Sequence, residues 1–176
     1  MSNQLSVSVL REENKIYDEY VEIPVISQNK EYIIKLYPFF PPEKIKSLVI
    51  SLAEFFHNAE KEKVKLEAKF EDDLVMYYIV KYFTDIKFSK SKKAKSIYDE
   101  FKSVINSKVY KEMVKLFPEQ SISEVYDQIF ETLDSSALLK EKFKDVQKIF
   151  NELPLQNREA FEQLNLIGKQ KQITEV

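Results

Sequence analysis

The sequence has no cysteine or tryptophan, one glycine (Gly168), one histidine (His57) and only two arginines, Arg11 and Arg158. Each scarcity excludes something. Without cysteine there is no disulfide and no thiolate zinc site, which suits a reducing compartment. With one glycine there is no phosphate-cradling loop and no nucleophile elbow, because both need backbone at positive φ. With one histidine and no cysteine, most general bases, soft metal ligands and activated nucleophiles are missing. An enzyme built from this chain would have to work with carboxylates, lysines and tyrosines alone. The expectation is a non-enzymatic protein with no cofactor and no metal. Long apolar runs are also absent. No segment approaches the ~20 residues that span a bilayer, and residues 1–16 lack the apolar stretch of a signal peptide. These features lead us to expect a soluble, intracellular protein without a membrane partner.

What remains is rich in rings and charges. There are 13 Phe and 10 Tyr, 44% of residues are hydrophobic and 32% are charged, so a substantial core can coexist with a polar surface. The 27 basic and 29 acidic residues nearly balance at a net charge of −2, which argues against a dedicated nucleic-acid binder. Nearly all the cations are lysine, a point charge without the fork that reads guanine or clamps phosphate.

Along the chain, residues 1–16 read as a polar, weakly ordered and flexible arm. Period-two alternation at Val21, Ile23 and Val25, and again at Tyr32, Ile34 and Leu36, predicts a hairpin over about 20–37. Ser27-Gln28-Asn29-Lys30 forms its turn, and Pro24 confines the first strand to an edge. From Pro41 onward the pattern is helical. Pro41-Pro42-Glu43 opens a helix whose apolar stripe is Ile45, Leu48, Val49, Leu52, Phe55, Phe56 and Ala59. Leu74–Ile86 has almost no polar face. Ala94–Ile105 forms a further stripe, continued through Val109, Met113, Leu116 and Phe117 as one helix. Ser121-Ile122-Ser123-Glu124 fits a capping box that starts the next helix. Helices are also expected over Leu139–Leu153, whose seam of about two heptads suits an intramolecular helix pair, and over Arg158–Leu166. The fold class is mainly α: a hairpin followed by a compact bundle of five or six helices. It forms a single domain over 17–167 with a flexible tail over 168–176.

Candidate sites are few. Glu54 and His57 have the Glu-x-x-His spacing of di-iron bundles, but that chemistry needs the pair twice, so a surface histidine is the reading preferred. Glu71-Asp72-Asp73 reads as acids gathered at a positive helix N-terminus. Lysines 87, 90, 92, 93 and 95 read as a solvated loop, with contact to nucleic acid or an acidic partner as the alternative. The aromatic helix has two readings, core or binding surface. As a surface it offers Tyr77, Tyr78, Tyr82 and Phe83, and the first strand adds Val21, Ile23 and Val25.

Three segments carry a family resemblance that runs over roughly residues 18–135. They are the hairpin Val21-Glu22-Ile23-Pro24-Val25 … Glu31-Tyr32-Ile33-Ile34-Lys35-Leu36, the Pro41-Pro42-Glu43 helix entry, and Met76-Tyr77-Tyr78-Ile79-Val80-Lys81-Tyr82-Phe83-Thr84-Asp85-Ile86. In these the chain resembles the tail assembly chaperones of long-tailed, siphovirus-type phages and prophages of Gram-positive bacteria. The resemblance implies a mostly helical, non-enzymatic protein of the bacterial cytoplasm. It implies self-association and binding to the tape measure protein, kept soluble until tail tube protein polymerises around it. Two other readings stand beside it: a virion structural or connector protein that closes a ring through strand addition, and a small helical regulatory or nucleic-acid-binding module that acts through the lysine loop.

Overall fold

A computed structural model of the chain describes residues 4–135. The order is α1 (Val7–Glu13), a 3-10 turn (Asn14–Asp18), β1 (Val21–Ser27), β2 (Lys30–Leu36) and α2 (Pro42–Lys61). A second 3-10 turn (Ala68–Phe70), α3 (Glu71–Phe83), α4 (Ala94–Ile105), α5 (Lys108–Val114) and α6 (Glu119–Ser135) follow. Among the described residues the fold is therefore mainly helical, with one antiparallel hairpin between α1 and α2. The helices expected over 139–153 and 158–166 and the tail over 168–176 lie outside the described residues.

The hairpin pairs Val21 with Leu36 and Ser27 with Lys30, leaving Gln28 and Asn29 as a two-residue loop. Both loop residues have positive φ, 51° and 60°, the geometry of a type I′ turn. Asparagine tolerates this conformation; Gln28 enters it against its side chain's preference. The Lys35 N–H and C=O both turn away from β1, to the Asp85 carboxylate at 2.9 Å and the Asp85 N–H at 3.1 Å. Lys35 and its partner Glu22 thus form a non-hydrogen-bonded pair, and by alternation so do Ile33 and Pro24. The N–H that proline lacks would have pointed outward, so no ladder bond is lost.

The seven apolar residues of α2 expected on one face are all buried: Ile45, Leu48, Val49, Leu52, Phe55, Phe56 and Ala59. At the end of α2 the Val64 N–H donates to the Ala59 carbonyl (2.8 Å) and the Lys63 N–H to the Glu60 carbonyl (3.1 Å). This is a Schellman cap with lysine, at φ 54°, where glycine is usual. The Lys63 side chain is exposed, so Lys63→Gly relieves strain without loss of packing. The expected gain is about 1 kcal/mol, read as a Tm rise of about 2–4 °C in a thermal melt.

Helix α3 runs through the centre of the bundle, with α2, α4 and α5 against it. Its residues Leu74, Val75, Tyr77, Tyr78, Ile79, Val80 and Phe83 are buried, as expected of a helix apolar nearly all round. Tyr77 meets Tyr78, Phe88 and Phe101 edge-on with ring centroids 5.3–5.7 Å apart. Phe40, from the link between β2 and α2, stacks on Phe83 at 3.7 Å and meets Phe117 edge-on at 5.7 Å.

Two expectations need correction. The stripe from Ala94 to Phe117 is not one helix: it breaks at Asn106, and the Ser107 hydroxyl accepts the Tyr110 N–H (3.0 Å) as the N-cap of α5. Nor does Ser121 start α6, which begins two residues earlier at Glu119. Ser121 is buried and donates its hydroxyl to the Pro38 carbonyl at 2.7 Å, tying α6 to the end of the hairpin. A local capping signal gave way to a long-range hydrogen bond from the same side chain.

Candidate interaction surface

The residues singled out for binding are divided by the fold. Tyr77, Tyr78, Phe83 and Val25 are buried, so most of the aromatic helix belongs to the core. Tyr82 is half-buried, its hydroxyl 2.6 Å from the Ser51 hydroxyl and 3.1 Å from the Ser47 carbonyl. Ile23 is half-buried beside Val25 on the inner face of β1. Of the seven only Val21 is exposed, at 53%.

The exposed apolar surface lies elsewhere. Twelve large apolar side chains are exposed among the described residues, and ten of them fall between Leu5 and Ile33. Helix α1 buries none of its side chains, and Leu5, Val7, Val9 and Leu10 all face water. On the outer face of the hairpin, Pro24 lies opposite Ile33, with Ile26 next along β1. Ile26 and Ile33 are among the most exposed apolar side chains in the fold. Acids border this surface at Glu12, Glu13, Asp18, Glu19, Glu22 and Glu31, all exposed. The arm joins the body through Tyr20, whose ring lies 5.8 Å from Tyr37 and carries Lys35 Nζ 4.2 Å from its centroid. The arm read from sequence as polar thus holds a short helix that carries exposed apolar side chains. Its signal was present in Val7, Val9 and Leu10, but seven residues are too few for periodicity to stand out.

A second cluster gathers charge in the interior. The Glu100 carboxylate accepts the Tyr77 hydroxyl (2.5 Å) and the Ser89 N–H (2.6 Å), and Lys81 Nζ lies 3.9 Å from it. The two charged side chains are only 22% and 20% exposed. Lys81 also sits over the rings of Tyr77, Tyr78 and Phe88 at 5.7–5.9 Å. Burial lowers the Lys81 pKa, with Glu100 acting against it. Burial pushes the Glu100 pKa up, but Tyr77, Ser89 and Lys81 more than reverse this and leave it below the ordinary value. Burial, then the Glu100 contact, raises the Tyr77 phenol. The carboxylate, the phenol, the Ser89 N–H and the ammonium are thus partnered by one another. The arrangement locks the connector after α3 onto α4.

Glu54 and His57 are exposed on α2. Glu71, Asp72 and Asp73 do fill the first turn of α3. Burial, then the neighbouring Asp73, raises the Asp72 pKa, with a hydrogen bond from Tyr126 opposing. No group of three or more His, Cys, Asp or Glu side chains among the described residues is placed to hold a metal ion. No described helix is long and apolar enough to cross a membrane.

No curated protein and no solved structure matches the chain. Residues 7–165 match the YomO family, a span that takes in the hairpin and all the described helices, α1 included. The chain belongs to the YomO family.

Proposed function

We propose that this chain is a non-enzymatic phage tail assembly chaperone, which binds the tape measure protein and keeps it soluble while the tail is built. The observation that carries the reading is α1, a helix of seven residues with no buried side chain. Isolated helices shorter than ~12–15 residues are marginal in water, so α1 gains its stability by laying Val7 and Leu10 against another chain. A tape measure protein is a long helix with apolar stripes and suits such a contact. The exposed hairpin residues Ile26 and Ile33 add a further apolar contact, and the exposed acids among them keep the unbound form from collapsing onto itself. An apolar surface of this modest size supports an affinity low enough for tail tube protein to displace the chaperone. The connector reading is less well supported, because Pro24 on the outer edge of β1 blunts strand addition.

The test is co-expression with a long helical tape-measure-like protein encoded near this gene. The wild type is expected to carry that client into the soluble fraction as a multi-subunit complex. The Val7→Asp, Leu10→Asp double variant is expected to keep its Tm and lose most of the client. A client left insoluble by the wild type, beside a chain that closes into a uniform ring, contradicts the proposal and favours the connector.

A further inference from the structure

Two lysine-bearing segments that are distant in sequence meet at one end of the bundle. The first is the end of α2 and the turn after it, with Lys61, Lys63 and Lys65; the second is the connector before α4 and the first turn of α4, with Lys87, Lys90, Lys92, Lys93 and Lys95. All eight side chains are exposed. Their meeting is built into the fold. The Glu62 carboxylate accepts the Ala94 N–H (3.1 Å) and the Lys95 N–H (3.2 Å), so it caps α4 from the end of α2. Asn58 Nδ2 donates to the Lys92 carbonyl at 3.3 Å, which fixes the middle of the connector. The acids within the two segments are Glu60 and Glu62, and Glu62 is committed to the α4 N-terminus. Lys95 also meets Asp99 on α4 at 3.3 Å. Segments 60–65 and 87–95 together carry eight lysines against two glutamates, a net +6. The whole chain carries −2, so everything else sums to −8.

From this separation of charge we infer that the lysine end is a docking surface for a short acidic segment of a partner protein, rich in Asp and Glu. Lysine heads on flexible stems meet carboxylates as point charges and need no fixed register. Nucleic acid fits less well, for two reasons. The patch has no arginine, and its one ring, Phe88, is half-buried beneath Lys81 (5.7 Å), so no platform is left for base stacking. The rest of the chain sums to −8 and disfavours a long polyanion that reaches beyond the lysines, whereas a short acidic segment feels mainly the charges within about one Debye length, ~10 Å. This surface is separate from the apolar arm, and the inference does not depend on the chaperone reading.

Fluorescence anisotropy tests it with two labelled probes, a 12-residue polyglutamate peptide and a single-stranded 12-nucleotide DNA. The peptide is expected to bind at 50 mM NaCl and to weaken about tenfold at 200 mM. The Lys90→Glu, Lys92→Glu, Lys93→Glu variant is expected to lose about tenfold or more in affinity. The control Lys108→Glu, Lys111→Glu, Lys115→Glu on and beside α5 should stay within about twofold. If charge reversal unsettles the fold, Lys90→Gln, Lys92→Gln, Lys93→Gln reads the same loss at about threefold. Absence of peptide binding at 50 mM, or an equal loss in the control, overturns the inference. DNA binding tighter than the peptide and abolished by the same variant overturns it in favour of nucleic acid.

Discussion

Glu100→Ala is expected to destabilise the protein by about 3 kcal/mol, more than most single substitutions do. The carboxylate holds three groups at once, and alanine leaves each without its partner. The Tyr77 hydroxyl loses its acceptor on a residue that is 0% exposed. The Ser89 N–H loses the bond that anchors the connector, and Lys81 keeps a half-buried charge with no counter-ion. An unsatisfied buried hydroxyl alone costs about 1–3 kcal/mol. Glu100→Gln keeps one acceptor oxygen for the Ser89 N–H, while its amide N–H donates to the Tyr77 hydroxyl oxygen, so a smaller cost of about 1–2 kcal/mol is expected. Urea titrations of the two variants measure the difference. Lys81→Met in the Glu100→Gln background should restore part of the loss, because the uncompensated charge goes with it.

The sign of the pH dependence follows from the same cluster. The folded-state pKa of Glu100 lies below its ordinary value of 4.5, so its contribution is full above that pH and is lost as pH falls through the folded value. Asp72 and Asp73 act in the opposite sense. Their pKa values are raised above 3.8, chiefly by burial, so protonation favours the fold and that gain disappears as pH rises through the folded values. Stability is therefore expected to increase somewhat as pH falls from neutrality, then to drop once Glu100 titrates. In Glu100→Gln the drop below about pH 4.5 should be visibly shallower.

Phe83→Ala is expected to cost about 3–5 kcal/mol, with a Tm lower by about 10–15 °C. Phe83 is fully buried at the end of α3 and stacks on Phe40, which in turn meets Phe117 before α6. Its backbone carbonyl also accepts the Tyr37 N–H at 2.9 Å, where the chain after β2 turns towards α2. Removing the ring opens a cavity where the hairpin, α3 and the approach to α6 come together. Phe83→Leu should cost markedly less, because most of the volume stays filled. If Phe83→Ala melted within 2–3 °C of the wild type, the packing described here would be wrong.

The helical part of this fold is legible where one face is long and clean. All seven stripe residues of α2 are buried because 20 residues give the 3.6 period room to repeat. The hairpin is legible from alternation, and Pro24 falls where its missing N–H does no harm. What escapes the sequence is tertiary. Glu62 caps a helix 32 residues away, Ser121 bonds a carbonyl 83 residues away, and Glu100 fastens Tyr77, 23 residues before it. None of these partners lies within the window over which local patterns speak. The tyrosines of α3 were ambiguous for the same reason: a ring with a hydroxyl suits either a wet surface or a core with an acceptor, and the acceptor for Tyr77 lies on α4. Aromatic density draws attention to α3, whose rings are mostly buried, while the exposed apolar residues of α1 are few and interspersed with Ser and Glu.

Hydrogen exchange of the backbone amides of Val7–Asp18, free and in complex with the tape-measure-like client, tests the central claim most directly. In the free protein these amides should exchange rapidly, because α1 has no buried side chain to hold it closed. In the complex they should slow by at least about tenfold, with Ile26 and Ile33 following and the core amides of α2 and α3 unchanged. Protection confined to another face, or an arm that exchanges equally fast in both states, would contradict the assignment of this surface to the client.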